Sequence, residues 1–306
     1  VRIIFAGTPA PAIPALSALL EKHEVAAVLT RPPAPVGRKR RLEKSPIHSF
    51  ALEHGIPVLT PTSLKDEAIQ SEIASYGAEA AAVVAYGLII PPELLKVFNY
   101  GWFNLHFSLL PRWRGAAPVQ AAIAAQDKMT GISIFQIAAG LDTGKIALQE
   151  ALPLDPDINA GTLLEQLANR GARHLTELFS ALPTGIDLRE QAGEISYAPQ
   201  FTTADARIDW QQPASAIRAR INAFNPRPGA WTTLDGGRLK IGKVEVVEEN
   251  SSISLLPGQL QAIGKCIYVG SASTPLRLRL LTPSGKKEMP ADAWWRGLRQ
   301  ENPYFQ

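Results

Sequence analysis

Residues 2–6 are apolar and stop at Gly7-Thr8-Pro9, where a turn begins. Beyond that turn the apolar period changes. Ile13, Leu16, Leu19 and Leu20 are spaced for one face of a helix ending near residue 21, and residues 25–29 form a second apolar run with β-branched members. Strand, helix and strand in this order make a parallel α/β unit. Residues 31–44 are proline-rich and basic with no apolar period, and they read as a mobile surface loop. Ser45-Pro46 opens a helix to residue 54, because proline suits a first helical turn. The pattern then predicts a short strand at Val58-Leu59, a helix over 64–76 and strands over 80–86 and 101–106. An alanine-rich helix over 115–125, strands at 131–137 and 144–150, and a long amphipathic helix over 161–182 complete this part. Together they predict a Rossmann-like, doubly wound, mostly parallel sheet.

The character changes after that. Residues 183–206 lack a long period and read as a connecting stretch, followed by a helix over 213–224. Short alternating runs at 231–234, 239–247, 259–263, 266–270 and 276–281 are punctuated by glycine, proline and serine, as in a small OB-like antiparallel β-barrel. The expected organisation is an α/β domain over 1–190, a linker over 191–206 and a barrel domain over 207–306.

Length agrees with two domains, since 306 residues exceed one core of average size. Hydrophobic residues at 46% and charged residues at 19% are ordinary for a soluble globular chain. The single cysteine, Cys266, excludes an intramolecular disulfide and a cysteine zinc cluster, and fits a reducing, cytoplasmic compartment. No apolar run is long enough for a bilayer; the most apolar, residues 80–90, stops at Pro91-Pro92. The first residues read as a strand and not as a signal peptide. Residues 301–306 are either similar to a protease-tag remnant, with Pro303 in place of its leucine, or native. Net charge is +3, but from Asp205 onward there are 14 lysines and arginines against 9 acidic residues, a net +5 that leaves −2 before it. The first part nonetheless holds a dense basic run, Arg38-Lys39-Arg40-Arg41. A basic second domain plus one basic loop suits a polyanion partner, or equally a solvated charged face.

Several residues carry candidate chemistry. Gly7-Thr8-Pro9 lacks the three-glycine fingerprint, so a dinucleotide is not supported. Asn104 and His106 alternate to one side at the end of a strand. An imidazole there can shuttle protons near neutral pH, and an amide can donate to a developing oxyanion; a merely structural histidine fits as well. The stretch from Ser108 to Gly115 is either a connector or one wall of a pocket. Asp142 is either a turn cap or a carboxylate that orients His106. The five histidines are scattered, and no metal-binding spacing is present.

The combination is more specific than its parts. Asn104-Leu105-His106, then Ser108-Leu109-Leu110-Pro111 leading to Arg114-Gly115, then Leu141-Asp142-Thr143-Gly144, resembles the folate-dependent formyltransferases, and among them those that act on charged tRNA. The likeness extends to residues 3–9, 85–91, 206–210 and 223–226. It implies a catalytic trio of Asn104, protonated His106 and Asp142. It implies 10-formyltetrahydrofolate as co-substrate, held by Tyr86, Gly87, Leu88, Ser108, Leu109, Leu110 and Pro111, with no metal. It implies initiator methionyl-tRNA as acceptor, formylated on its free α-amine for translation initiation, with Arg38, Lys39, Arg40 and Arg41 and the second domain contacting the tRNA. A monomer without a membrane partner is expected. The alternative acceptor is an amino-sugar nucleotide. Ala10-Pro11-Ala12, Phe107 and Gln136 depart from the family's usual residues, and none belongs to the trio.

Overall fold

The computed structural model describes every residue except Arg38, Lys39, Glu249 and Arg299. Two compact units share the chain: Val1–Pro118 with Thr130–Leu152 and Leu164–Ala198, and Val119–Met129 with Pro153–Leu163 and Pro199–Gln306.

The first unit begins with β1 (Arg2–Gly7), α1 (Ile13–Lys22) and β2 (Glu24–Leu29). Ile3, Ile4 and Phe5 are wholly buried, as expected of a strand covered on both faces. The basic segment differs from its expected form. It contains a hairpin of β3 (Ala34–Val36) and β4 (Arg41–Glu43), paired Ala34 to Glu43 and Val36 to Arg41. Every residue of both strands is exposed, so the pairing rests on backbone bonds that leave no apolar period to read. The helix α2 (Pro46–Glu53) is capped by the Ser45 hydroxyl, which accepts from the His48 amide at 3.0 Å.

Next come β5 (Val58–Leu59), α3 (Glu67–Ser75), β6 (Ala80–Val84), α4 (Pro92–Leu95) and β7 (Gly101–His106). They are followed by β8 (Arg114–Gly115), α5 (Pro118–Ala124), β9 (Met129–Gln136), β10 (Ile146–Pro153) and α6 (Ala160–Ala181). The large sheet has the order β10-β9-β7-β6-β1-β2-β5. Its pairs are parallel from β7 to β5, and β9 runs antiparallel to β7. The chain winds outward from β1 in both directions, so the switch point lies between β1 and β6. The carboxyl ends of strands flanking such a point are where ligands bind in open α/β sheets. The alanine-rich helix starts three residues later than expected, because Arg114 and Gly115 pair with β11 (Tyr197–Ala198).

The second unit contains α7 (Ala214–Phe224) and an antiparallel sheet ordered β12-β13-β16-β15-β14, with β17 on β16. These strands are β12 (Trp231–Leu234), β13 (Gly237–Val246), β14 (Leu260–Ile263), β15 (Cys266–Val269), β16 (Leu276–Pro283) and β17 (Met289–Pro290). A short helix, α8 (Ala291–Trp295), follows. Residues 303–306 join the two ends of the sheet. Leu260 donates to the Pro303 carbonyl at 3.0 Å, while Thr233 and Gln306 exchange backbone bonds of 3.3 and 3.0 Å. Phe305 is buried and stacks on Trp210, with ring centroids 5.3 Å apart. The tail is thus a closing segment of the barrel.

Candidate active site

Asn104 and His106 occupy alternate positions of β7, beside Val83 of β6 and Ser133 of β9 respectively. The two-residue repeat places both on the lining of a cavity of about 490 Å³ beyond the carboxyl ends of β6 and β7. Leu88, Ile90, Phe107, Phe135 and Ile137 supply its apolar walls; Asn104, His106 and Asp142 supply polar groups. Apolar walls with few convergent polar groups, at this volume, suit a flat organic ligand. Ile89 and Leu141 also line it and are largely exposed, at 89% and 62%.

His106 is buried at 5% exposure. Its Nε2 lies 2.9 Å from the Trp113 carbonyl oxygen. A carbonyl only accepts, so Nε2 carries a proton and Nδ1 is the nitrogen free to titrate. Nδ1 faces the Asp142 carboxylate at 3.7 Å, close for a charge but longer than a direct hydrogen bond. Burial pushes the His106 pKa down; Asp142, and then the Trp113 carbonyl, push it up, and burial prevails. Removal from water disfavours the charged form of the ring, against the pull of Asp142.

Asp142 does not cap its own turn. Its Oδ2 accepts the Gly115 amide at 2.7 Å, from the loop that follows Trp113. Its backbone is left-handed, with φ of 50°, a conformation aspartate tolerates better than most residues. Gly144 is needed because any side chain there would run into the Gln136 carbonyl. That close approach brings the Asp142 loop against the end of β9.

The expected folate residues divide into two groups. Tyr86, Gly87 and Leu88 line the cavity. The Tyr86 hydroxyl is buried without a hydrogen-bond partner among the described residues, and burial raises its pKa against a weaker pull from Arg31. Thr8, from the turn after β1, donates its hydroxyl to the Tyr86 carbonyl at 2.9 Å and ties that loop down. Ser108, Leu109, Leu110 and Pro111 are not on the lining. They form a braced turn. Ser133 Oγ accepts from the Leu110 amide at 3.0 Å and donates to the Ser108 carbonyl at 2.7 Å, and Gln149 Nε2 donates to the Leu110 carbonyl at 2.7 Å. The turn leads to the Trp113 carbonyl that holds His106.

Phe107 forms part of the wall, and Gln136 points away from the trio, donating to the Tyr100 carbonyl at 3.1 Å. Arg38 and Lys39 lie outside the described residues; Arg40 and Arg41 are exposed at the hairpin. No group of three or more potential metal ligands occurs among the described residues, and none of the described helices is long and apolar enough to cross a membrane.

Gln191, in the stretch that reads as a linker, joins this site without a mark in the sequence. Its Nε2 donates to the carbonyls of Asp142 at 2.7 Å and Gly144 at 2.9 Å, and its Oε1 accepts from Arg114 Nη2 at 2.7 Å. No periodicity marks a lone polar residue of this kind.

Known proteins share this arrangement of sequence and fold. The family model described as formyl transferase matches residues 1–178, and the formyl transferase C-terminal domain matches residues 200–299. A methionyl-tRNA formyltransferase of Corynebacterium aurimucosum is 48% identical, over 98% of this chain and 95% of its own. HypX from Aquifex aeolicus, solved with tetrahydrofolic acid, superposes with a TM-score of 0.64 at 14% identity, covering 96% of this chain and 46% of HypX. The chain thus spans about half the length of HypX. WlaRD, a sugar 3N-formyl transferase solved with dTDP and 5-N-formyl-THF, gives a TM-score of 0.68 at 18% identity, covering 94% of this chain and 99% of WlaRD.

Proposed function

The chain belongs to the formyl transferase family, and on that premise we propose that it moves a formyl group from 10-formyltetrahydrofolate to the α-amine of methionine carried on initiator tRNA. One observation carries the choice of acceptor: 48% identity, over nearly the whole chain, to a relative named methionyl-tRNA formyltransferase. Fold alone does not choose, because a sugar formyltransferase shares it.

The acceptor amine needs little activation. Free α-amino groups titrate at about 7.7–8.0, and esterification lowers this, so much of the amine is neutral near pH 7. The folate carrier supplies the formyl carbon and the leaving nitrogen. When the amine's lone pair bonds to that carbon, the carbonyl electron pair moves onto oxygen. Asn104 donates its amide N–H to this developing charge. His106, neutral at rest, takes the amine's proton at Nδ1, and the Asp142 carboxylate stabilises the imidazolium that results. His106 then returns the proton to the departing nitrogen as its bond to carbon breaks. The apolar walls at Phe107 and Phe135 keep bulk water from competing for the formyl group.

Tyr86, Gly87 and Leu88 belong to the folate site on this reading, and Ser108 to Pro111 support it from outside the cavity. Arg40 and Arg41, with Arg38 and Lys39, contact tRNA phosphates, as does the basic domain over 207–306, in a cytoplasmic monomer. Formyl transfer measured on charged initiator tRNA beside an amino-sugar nucleotide tests the acceptor. Transfer to the tRNA alone is expected; transfer only to the sugar nucleotide overturns the tRNA reading and leaves the chemistry standing.

A further inference from the structure

Residues 189–198 carry no apolar period, yet they hold the loops that bear the polar groups of the cavity. Arg189 and Ile146 exchange backbone bonds of 2.8 and 3.0 Å. The Ser196 hydroxyl accepts the Trp113 amide at 3.0 Å, and its carbonyl accepts the Arg114 amide at 2.9 Å. The Ala198 carbonyl accepts the Ala116 amide at 2.9 Å. This strap thus fixes the peptide whose carbonyl holds His106 Nε2.

Gln191 fixes the other partner. Both hydrogens of its amide are spent on the Asp142 loop, at the carbonyls of Asp142 and Gly144. Its oxygen takes the guanidinium of the buried Arg114. The residue after Arg114 is Gly115, whose amide holds the Asp142 carboxylate. One side chain therefore ties together both loops whose separation sets the distance from Asp142 to His106. All of these residues lie in the first unit.

The geometry points to Gln191 as a positioning residue for formyl transfer, acting through Asp142 on His106. It holds Asp142 from behind and is not itself on the lining of the cavity. The inference rests on the reading that His106 and Asp142 serve the transfer. A glutamine suits the task because one planar group offers two donors and one acceptor together. Methionine copies its length without those bonds, and glutamate keeps the acceptor for Arg114 but loses both donors.

The test compares Gln191→Met, Gln191→Glu and Asp142→Asn with the parent in the full chain. Two quantities are read: kcat and KM for each substrate, and the His106 imidazole titration followed by NMR in the free protein. Both Gln191 variants should lower kcat roughly 10- to 100-fold, as small misplacements of reacting groups do, with each KM nearly unchanged. In Gln191→Met, which adds no charge, the His106 titration should move to lower pH, in the direction Asp142→Asn moves it, because Asp142 is the charge that holds it up. Combined with Asp142→Asn, Gln191→Met should add little further loss. If Gln191→Met fails to fold, Gln191→Glu is judged by its fall in kcat at nearly unchanged KM.

An unchanged His106 titration with kcat near the parent's, while Asp142→Asn is slow, overturns the positioning role and leaves the catalytic pair intact. A fast Asp142→Asn overturns the reading of the pair, and the positioning role with it.

Discussion

Two histidine–carboxylate contacts of the first unit differ in kind, and the tighter one is away from the cavity. His174 on α6 meets Glu150 of β10 at 2.9 Å, and the other Glu150 oxygen takes Arg170 at 2.8 Å. His106 and Asp142 stand 3.7 Å apart. Their surroundings differ in the opposite sense. The Glu150 and His174 side chains are 26% and 27% exposed, whereas those of His106 and Asp142 are 6% and 13% exposed. Burial tends to raise the Glu150 pKa, but hydrogen bonds and charges from His174 and Arg170 outweigh it and hold the carboxyl below its usual range. At His106 burial outweighs Asp142 and pushes the imidazole pKa down. A short, well-partnered contact about a quarter exposed is a structural clasp. A looser pair, buried beside a cavity with one ring nitrogen left to titrate, can accept and return a proton. Quality as a salt bridge is thus a poor guide to which pair does chemistry.

The sharpest way to break this contrast is to remove the ring that faces the cavity. His106→Ala should lower the rate of formyl transfer by about 10²- to 10⁴-fold in a single-turnover assay, since it deletes the proton shuttle. Asp142→Asn should cost less, roughly 10- to 100-fold, because the imidazole remains but its cation loses its counter-charge. It should also move the His106 titration further below the ordinary histidine range, which NMR of the free protein reads directly. Glu150→Gln should leave the transfer rate within about twofold and lower unfolding stability by about 0.2–1 kcal/mol, the range of partly exposed pairs. Its pH signature has a definite sign. A carboxyl whose folded pKa is depressed adds stability above its unfolded pKa and loses it as pH falls through the folded one. Denaturant melts of Glu150→Gln should therefore converge with those of the parent at pH below the ordinary glutamate range.

Much of this frame was legible in the chain. The buried runs of β1 and β6 announce a covered parallel sheet, and the alternation in β12 to β16 announces the second sheet, because both obey a period that apolar burial enforces. Asn104 and His106 could be placed on one face because a strand has a period of two. The pairing of Asp142 with Gly115 spans two loops and leaves no local period. The same holds for Gln191, and for β3 and β4, whose residues are all exposed. For Ser108 to Pro111 the residues alone left connector and pocket wall open, and the bonds from Ser133 and Gln149 that brace this turn come from distant strands. The tail over 303–306 hid a buried Phe305 within a polar, proline-containing stretch.

The most direct test of this account is a single-turnover measurement of formyl transfer from 10-formyltetrahydrofolate to charged initiator tRNA, made on Asp142→Asn and Glu150→Gln side by side. The account predicts that Asp142→Asn is slowed at least about tenfold while Glu150→Gln keeps close to the parent rate. Equal losses in the two variants, or a loss confined to Glu150→Gln, would contradict it.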